Sequence, residues 1–368
     1  MTPSSKRIIL SVCGSLLLAS SALVSTGGAV ASAKDSVTIS LIQAMTGNEW
    51  ATEVQAGADA AAKDLGGKVK IRASGPSAIN PPQQAQMFLD ELNTSPDALI
   101  VVNIAPPLFT QPALDAEAKG AKVIWINVPP TPDIKDALLI SADAYDMGKR
   151  GGNLVADALL KSTGKSASEI TGDVPNGICE VGLTVVENRL AGHIAALKAK
   201  LPNISVLPKF KSYSDRTRNF QIWDEAIRAN PKAITYIDPC EQGEENIPKI
   251  LDTDGVKAPF VSYDTPEEIR DDIAKGTVTA AIPSNFFMQA YLAVYAAGTA
   301  LLNDKPLPVG WLQVPTVTID QSNIAEYSKA WADPTTGLRA FYSKQIEALR
   351  DNVPANLPNP QAFNNPKP

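Results

Sequence analysis

Residues 98–127 read ALIVVNIAPPLFTQPALDAEAKGAKVIWIN, and this stretch decides the fold. Ala98 to Val102 is a run of aliphatic and β-branched residues, long enough for a buried strand and too short for a helix. Gln111 to Lys119 has helical spacing and stops at Gly120, and Lys122 to Ile126 is a second buried run. Strand, helix and strand within thirty residues is a βαβ unit, whose two strands lie parallel with the helix packed across them.

The same cycle extends in both directions. Upstream, Val37 to Ile42 reads as a strand, Trp50 to Leu65 as a helix ended by Gly66-Gly67, Lys68 to Ala73 as a strand and Pro82 to Asn93 as a helix. Downstream, helices are expected at Asp143–Lys161, Leu183–Lys200, Asp215–Ala229, Glu241–Asp252, Pro266–Lys275 and Phe286–Leu302. Strands are expected near Glu169–Thr171 and at Ile204–Lys209, Ala233–Ile237, Phe260–Tyr263, Thr279–Ile282 and Val314–Ile319. The count exceeds one small core, so the expected fold class is α/β with two doubly wound parallel-sheet lobes.

The amino terminus carries Lys6 and Arg7, an apolar run from Ile8 to Leu18, and the small residues Ala31-Ser32-Ala33. This is the pattern of a secretory signal peptide over residues 1–33, its apolar core about half the roughly 20 residues a membrane span needs. Cys13 follows Val12 inside that run, which departs from a lipid-attachment site, so the expected product is soluble and exported to the periplasm or cell envelope. The chain's formal charge is −6, and removing the two bases takes it to −8, which argues against nucleic acid as a partner. Two cysteines then remain, Cys179 and Cys240, and in an oxidising compartment such a pair is expected to form a disulfide.

Several chemistries are missing. His193 is the only histidine, which removes Ser-His-Asp, Cys-His and histidine-based zinc sites from consideration. Gly164-Lys165-Ser166 resembles the end of a phosphate-binding loop, but Leu159 stands where its first glycine belongs. Asp252-Thr253-Asp254-Gly255 places glycine too early for a calcium loop, with Lys257 in the glycine position. No carboxylate pair stands out as catalytic. The expectation is a non-enzymatic protein with no metal and no cofactor.

The repeated units resemble the type I periplasmic sugar-binding proteins, including the ribose- and galactose-binding members, whose fold the lac-type repressors share. The resemblance covers Val37 to about Ile319. It rests on Val37–Ile42 followed by Gly47-Asn48-Glu49-Trp50, on Ala98–Asn103, on Gly120–Asn127, on Ser141-Ala142-Asp143 with Gly148 and Gly152, on Arg189-Leu190-Ala191-Gly192, and on Phe260–Asp264. It implies a multi-strand hinge between lobe 1 (34–140 with 285–312) and lobe 2 (141–284 with 313–350); the tail over 351–368, rich in Pro and Asn with little to bury, is expected from its composition to wrap the surface or be disordered. It also implies that a small polar ligand, a sugar or polyol, is captured by hinge closure and delivered by a monomer to an ABC transporter permease. A carrier for a non-sugar signalling molecule, acting with a sensor or chemoreceptor, would look the same.

In doubly wound sheets ligands sit outside the carboxyl ends of the strands. The resemblance therefore assigns a ligand set of Asn48, Trp50, Asn103, Asn127, Arg189, Asp238, Glu241, Asp264 and Asn285. The asparagines can donate to and accept from hydroxyls, Trp50 offers a ring face, Arg189 donates a fork of bonds, and the carboxylates accept. Three departures loosen the match to ordinary sugars: Asn127-Val128 stands where Asp-Arg is common, Pro239-Cys240 where Asn-Asp is common, and Ser284 or Asn285 where a late glutamine is common. In this frame Cys179 and Cys240 both fall on the cleft-facing rim of lobe 2, so their bridge would leave the hinge free.

Overall fold

The computed structural model describes residues 34–365, so the expected signal peptide, its cleavage site and Cys13 lie outside the described residues. The first body alternates β1 (Val37–Ile42), α1 (Glu49–Asp64), β2 (Val69–Ser74), α2 (Pro81–Leu92), β3 (Ala98–Asn103), α3 (Pro106–Ala118), β4 (Lys122–Asn127) and β5 (Leu138–Ser141). The second follows with α4 (Ala144–Thr163), β6 (Gly172–Val174), β7 (Gly177–Ile178), α5 (Thr184–Lys200), β8 (Ile204–Val206), β9 (Phe210–Lys211), α6 (Arg216–Ala229), α7 (Glu241–Thr253), β10 (Val261–Ser262), α8 (Glu267–Lys275) and β11 (Ala280–Ala281). The chain closes with α9 (Phe286–Leu302), β12 (Gly310–Gln313), α10 (Ile324–Ala330), α11 (Pro334–Phe341) and α12 (Ser343–Arg350).

The first sheet has six strands in the order β12-β5-β4-β3-β1-β2, every pair parallel. β3 is buried along its whole length, which is why residues 98–103 carry no polar alternation. The order reverses between β1 and β3, and the chain leaves these two strands in opposite directions, opening a crevice at their carboxyl ends. α9, apolar almost throughout, packs against α1 and the sheet. The second body is built from shorter pairs, β6 with β8, β7 with β9 and β10 with β11, all parallel.

Three segments link the six-stranded sheet and its α9 to the shorter strand pairs and their helices: Ser141–Asp143 between β5 and α4, Ile282–Asn285 between β11 and α9, and the stretch after β12 that brings Ile319 to Ala281. Arg150 on α4 fastens the third by donating to the Thr316 carbonyl at 2.8 Å and to Thr318 Oγ1 at 2.9 Å.

Several elements differ from expectation. The strand expected near Glu169–Thr171 begins at Gly172, because Ser166 and Glu169 close a capping box around a short 3-10 turn. Ala233–Ile237 makes only isolated bridges, Ala233 to Asp173 and Ile237 to Asn176. The late strand lies earlier, at Gly310–Gln313: Pro315 has no N–H to continue the ladder, and of the expected run only Ile319 pairs, with Ala281. Residues 313–350, expected with lobe 2, divide their packing, since α11 lies on α1, α12 on α9 and α10 on α8. In the tail Phe363 is 2% exposed and meets Trp311 edge-on at 5.5 Å. Its carbonyl accepts from Asn188 Nδ2 at 2.7 Å, while Gln361 Nε2 donates to the Pro130 carbonyl at 2.7 Å, so this wrap grips both bodies.

Candidate ligand cleft

The loops after β1 and β3 face α5, the 239–242 turn and Asp264 across a cavity of about 420 Å³. Its walls are mixed: Met45, Trp50, Ile104 and Phe286 give apolar surface, and Arg189, Glu241 and Asp264 give charge. Larger recesses of about 470 and 920 Å³ lie behind α7 and beside the third crossing segment. Both are away from the β1/β3 switch point, where the topology directs a ligand.

Arg189 is placed by close packing of α4 on α5. A Cβ on Gly148 would stand 2.1 Å from the Arg189 carbonyl oxygen, and one on Gly192 2.1 Å from that of Tyr145, so only glycines allow the two backbones to approach this far. The Arg189 guanidinium, 4% exposed as a residue, donates to the Pro239 carbonyl at 3.3 Å and to Ser284 Oγ, and lies 5.7 Å from the Tyr263 ring centre. Ser284 is joined to the first sheet through Gln289, whose Nε2 donates to the Ser284 carbonyl at 2.8 Å and whose Oε1 accepts the Asn127 N–H at 2.9 Å. The arginine is thus braced from both bodies.

Asp264 follows β10, held there by Glu244, whose carboxylate accepts the N–H groups of Tyr263 at 2.8 Å and Asp264 at 2.9 Å. The Asp264 carboxylate itself accepts no hydrogen bond among the described residues, and burial raises its pKa against the opposing pull of Arg189. Beyond it lies a chamber of about 10 Å³, room for one water-sized group, which shares Trp50, Glu241 and Asp264 with the main cavity and adds Glu49 and Glu53. Burial pushes Glu53 up to about 8, with the Phe287 N–H opposing and Asp264 adding to the rise. Glu241 is pushed up to about 7, by burial first and then by Asp264 and Glu245. Such shifts in a cleft mark a place arranged for something other than stability.

Of the expected ligand set, Trp50, Asn127, Arg189, Glu241 and Asp264 line the cleft. Asn48 stands at its edge, with Oδ1 capping α1 at Ala51 N–H and Nδ2 3.5 Å from Glu241. The remaining three are committed elsewhere. Asn103 Nδ2 donates to the Val128 and Pro129 carbonyls and its Oδ1 accepts the Ala105 N–H, which shapes the loop after β4. Asp238 accepts from Trp223 Nε1 at 2.7 Å and from the Cys240 N–H at 3.2 Å beneath the cleft floor, with its pKa pushed up to about 6 by burial. Asn285, at φ 56°, caps α9 and donates to the Pro315 carbonyl, a joint between two crossing segments.

Sequence reasoning missed Glu53, Phe286 and Met45. Glu53 had a partial signal, being an acid set beside the α1 stripe of Trp50, Val54, Gly57 and Ala61, well inside the helix, whereas Asp64 shares that stripe only at its exposed end.

Cys179 and Cys240 form a disulfide with Cα atoms 6.1 Å apart, and both line the cleft. His193 is 1% exposed, bonded through Nδ1 to Tyr263 Oη at 2.7 Å and pushed down to about 3 by burial, a structural residue on the α4–α5 interface. Among the described residues no group of His, Cys, Asp and Glu is arranged to hold a metal ion. No described helix is long and apolar enough to cross a membrane.

Two α/β bodies, joined by three crossings around a cleft at the strand switch point, define a solute-binding protein. The chain belongs to the periplasmic binding protein family, whose domain model matches residues 39–305, and it is therefore a binding protein and not an enzyme. Solved structures agree in fold. One is a solute-binding protein of an ABC transporter from Actinobacillus succinogenes with bound D-allose, at TM-score 0.70 and 17% identity over 79% of this chain and 100% of that one. Another, from Agrobacterium vitis and bound to α-D-tagatopyranose, has TM-score 0.68 and 21% identity over 80% and 98%. A glucose-galactose binding protein from Geobacillus stearothermophilus has TM-score 0.67 and 18% identity over 79% and 99%. Among curated proteins none matches in sequence.

Proposed function

We propose that this chain is exported, captures a polyhydroxylated ligand of sugar or polyol type as a monomer by closing its two lobes, and presents it to an ABC transporter permease. The observation that carries the reading is the cleft at the β1/β3 switch point. There Trp50 and Phe286 offer ring surface to the C–H side of a ligand, and Arg189, Asn127 and Asp264 supply donors and acceptors for its hydroxyls. Support also comes from the solved relatives with bound monosaccharides. Contacts between α1 and the second body fit a closing motion, since Glu49 accepts the Glu267 N–H at 3.1 Å and pairs with Arg270 across the cleft mouth.

The lobes are residues 34–140 with 285–312 and 141–284, and residues 313–350 serve both. The test is a thermal-shift screen of the purified chain against sugars and polyols, followed by calorimetry on each hit. A hit whose affinity falls in Trp50→Ala supports the reading. Absence of any shift, or affinity unchanged in Trp50→Ala and Asp264→Asn together, refutes it.

A further inference from the structure

We infer that the ligand carries an ammonium group, as an amino sugar or amino polyol does, and that its nitrogen seats in the small chamber between Glu53, Glu241 and Asp264. This deepens the proposed function and rests on it, since the cleft and the mode of capture are the same.

The carboxylates around the chamber are not equivalent. Glu49 is neutralised by Arg270, and Glu244 is occupied by Ser262 Oγ and two backbone N–H groups. Three acids remain. Glu53 is only 4% exposed; its Oε1 accepts the Phe287 N–H at 3.1 Å, and its Oε2, on a side chain that lines the chamber, has no partner among the described residues. Glu241 has only a 3.5 Å contact from Asn48, and Asp264 has no donor at all. Arg189 is the nearby cation; its two Nη groups donate to Pro239 and Ser284, its Nε has no partner among the described residues, and no ion pair joins it to any of the three acids.

Three buried or half-buried carboxylates facing about 10 Å³ of space ask for a compact cation with several N–H donors. An ammonium group has that size and three donors, whereas the acids are not grouped as metal ligands. The Trp50 ring, 5.4 Å from that of Phe286, borders both chamber and cavity and can face a cation as well as a sugar ring. The main cavity then takes the hydroxylated body.

The other ionisable groups packed around this point are Tyr327 and Tyr342, both pushed above the ordinary phenol range and so neutral, the buried Glu245, paired with Arg216 at 2.6 Å, and the cationic Arg270. Near neutrality Glu53 and Glu241 are the groups that change charge. In the empty cleft they hold protons that a bound cation must displace, so affinity for an amine rises with pH between 6 and 8, by on the order of tenfold or more.

The experiment is calorimetry of the full chain with 1-amino-1-deoxysorbitol against sorbitol, and with glucosamine, galactosamine and mannosamine against their parent hexoses and N-acetyl derivatives. The aminopolyol reads the pH profile, because its amine stays charged up to pH 8. The expected result is that an amine binds at least tenfold tighter than its neutral parent and its acetylated form, that the aminopolyol's advantage grows from pH 6 to 8, and that Glu53→Gln cuts the amine-to-parent ratio at least tenfold. Glu241→Gln serves the same purpose should Glu53→Gln not fold. A parent sugar binding as tightly as its amine at pH 8, or an amine preference that persists in the variants, overturns this inference and leaves sugar capture standing. If no compound binds, the proposed function falls with it.

Discussion

Asp264→Asn should weaken ligand binding and strengthen the empty protein at the same time. The Asp264 carboxylate faces the cleft without a donor and is pushed up by burial, and its charge adds to the rise that burial produces at Glu241 and Glu244. A charge-assisted hydrogen bond to ligand is worth about 1.5–3 kcal/mol, so the amide should bind about ten- to a hundredfold more weakly. In the empty protein the same change removes repulsion among three neighbouring acids, and relief of such functional strain commonly returns about 1 kcal/mol. Calorimetry with a hit from the screen and urea unfolding of the ligand-free protein measure the two halves. A variant that keeps full affinity and unfolds at lower urea would refute the reasoning, because it would make Asp264 a structural residue.

Four further outcomes are expected. Above pH 6.5 His193 is neutral in the folded protein and loses its remaining charge in the unfolded chain, which adds back only about 0.4 kcal/mol by pH 8, whereas the folded protein still holds protons on Glu53 and Glu241 that the unfolded chain has released. Stability of the ligand-free chain should therefore fall by roughly 2 kcal/mol from pH 6.5 to 8, read by urea melts, and a flat profile would contradict the buried carboxylates. Replacing both Cys179 and Cys240 by serine opens a crosslink spanning 61 residues and should cost about 4 kcal/mol in the chain-entropy account, with thiol labelling of the unreduced wild type expected to find neither cysteine. Gly192→Ala must push α5 away from the Tyr145 carbonyl, which should cost about 1–3 kcal/mol and shift Arg189 enough to lower ligand affinity. Deleting the tail from Pro354 uncovers Trp311 and removes buried Phe363, a loss of about 2–3 kcal/mol visible as a lower melting temperature.

Most of the first body was legible in sequence because its elements announce themselves locally; the exceptions are β5, a four-residue strand for which none was expected, and the first turn of α3, which starts at Pro106 and not Gln111. β1, β3 and β4 are nearly continuous buried runs, and α1 and α2 open on Asn48 and Asn80, whose side chains accept free N–H groups of the first turn. The second body was less legible because its strands are two or three residues long and held by neighbours distant in sequence. No local signal separates Ala233–Ile237, which pairs through single bridges, from a full strand. α10, α11 and α12 escaped for a related reason. They are short helices whose few buried residues, such as Ile324, Tyr327, Leu338 and Ile346, acquire a partner only once α1, α8 and α9 are in place.

The same distinction runs through the cleft. Asn103 and Asn127 read alike, each an asparagine ending a strand, and the β3–β4 register sets them side by side. Both give side-chain N–H groups to the backbone, Asn127, at φ 77°, to the Asn103 carbonyl and Asn103 to Val128 and Pro129, but Asn103 Oδ1 also accepts the Ala105 N–H, whereas Asn127 Oδ1 accepts from no described residue and is left for a ligand. The pair builds a rim in which Asn127 lines the cavity and its N–H is fixed by Gln289, which in turn reaches Ser284 beside Arg189. A residue type at a strand end therefore locates the cleft, while the hydrogen bonds already made there decide which side chains are left for a ligand. By that criterion Asp264, Glu241 and Glu53, whose carboxylate oxygens are the least satisfied, are the positions where ligand chemistry should be read first.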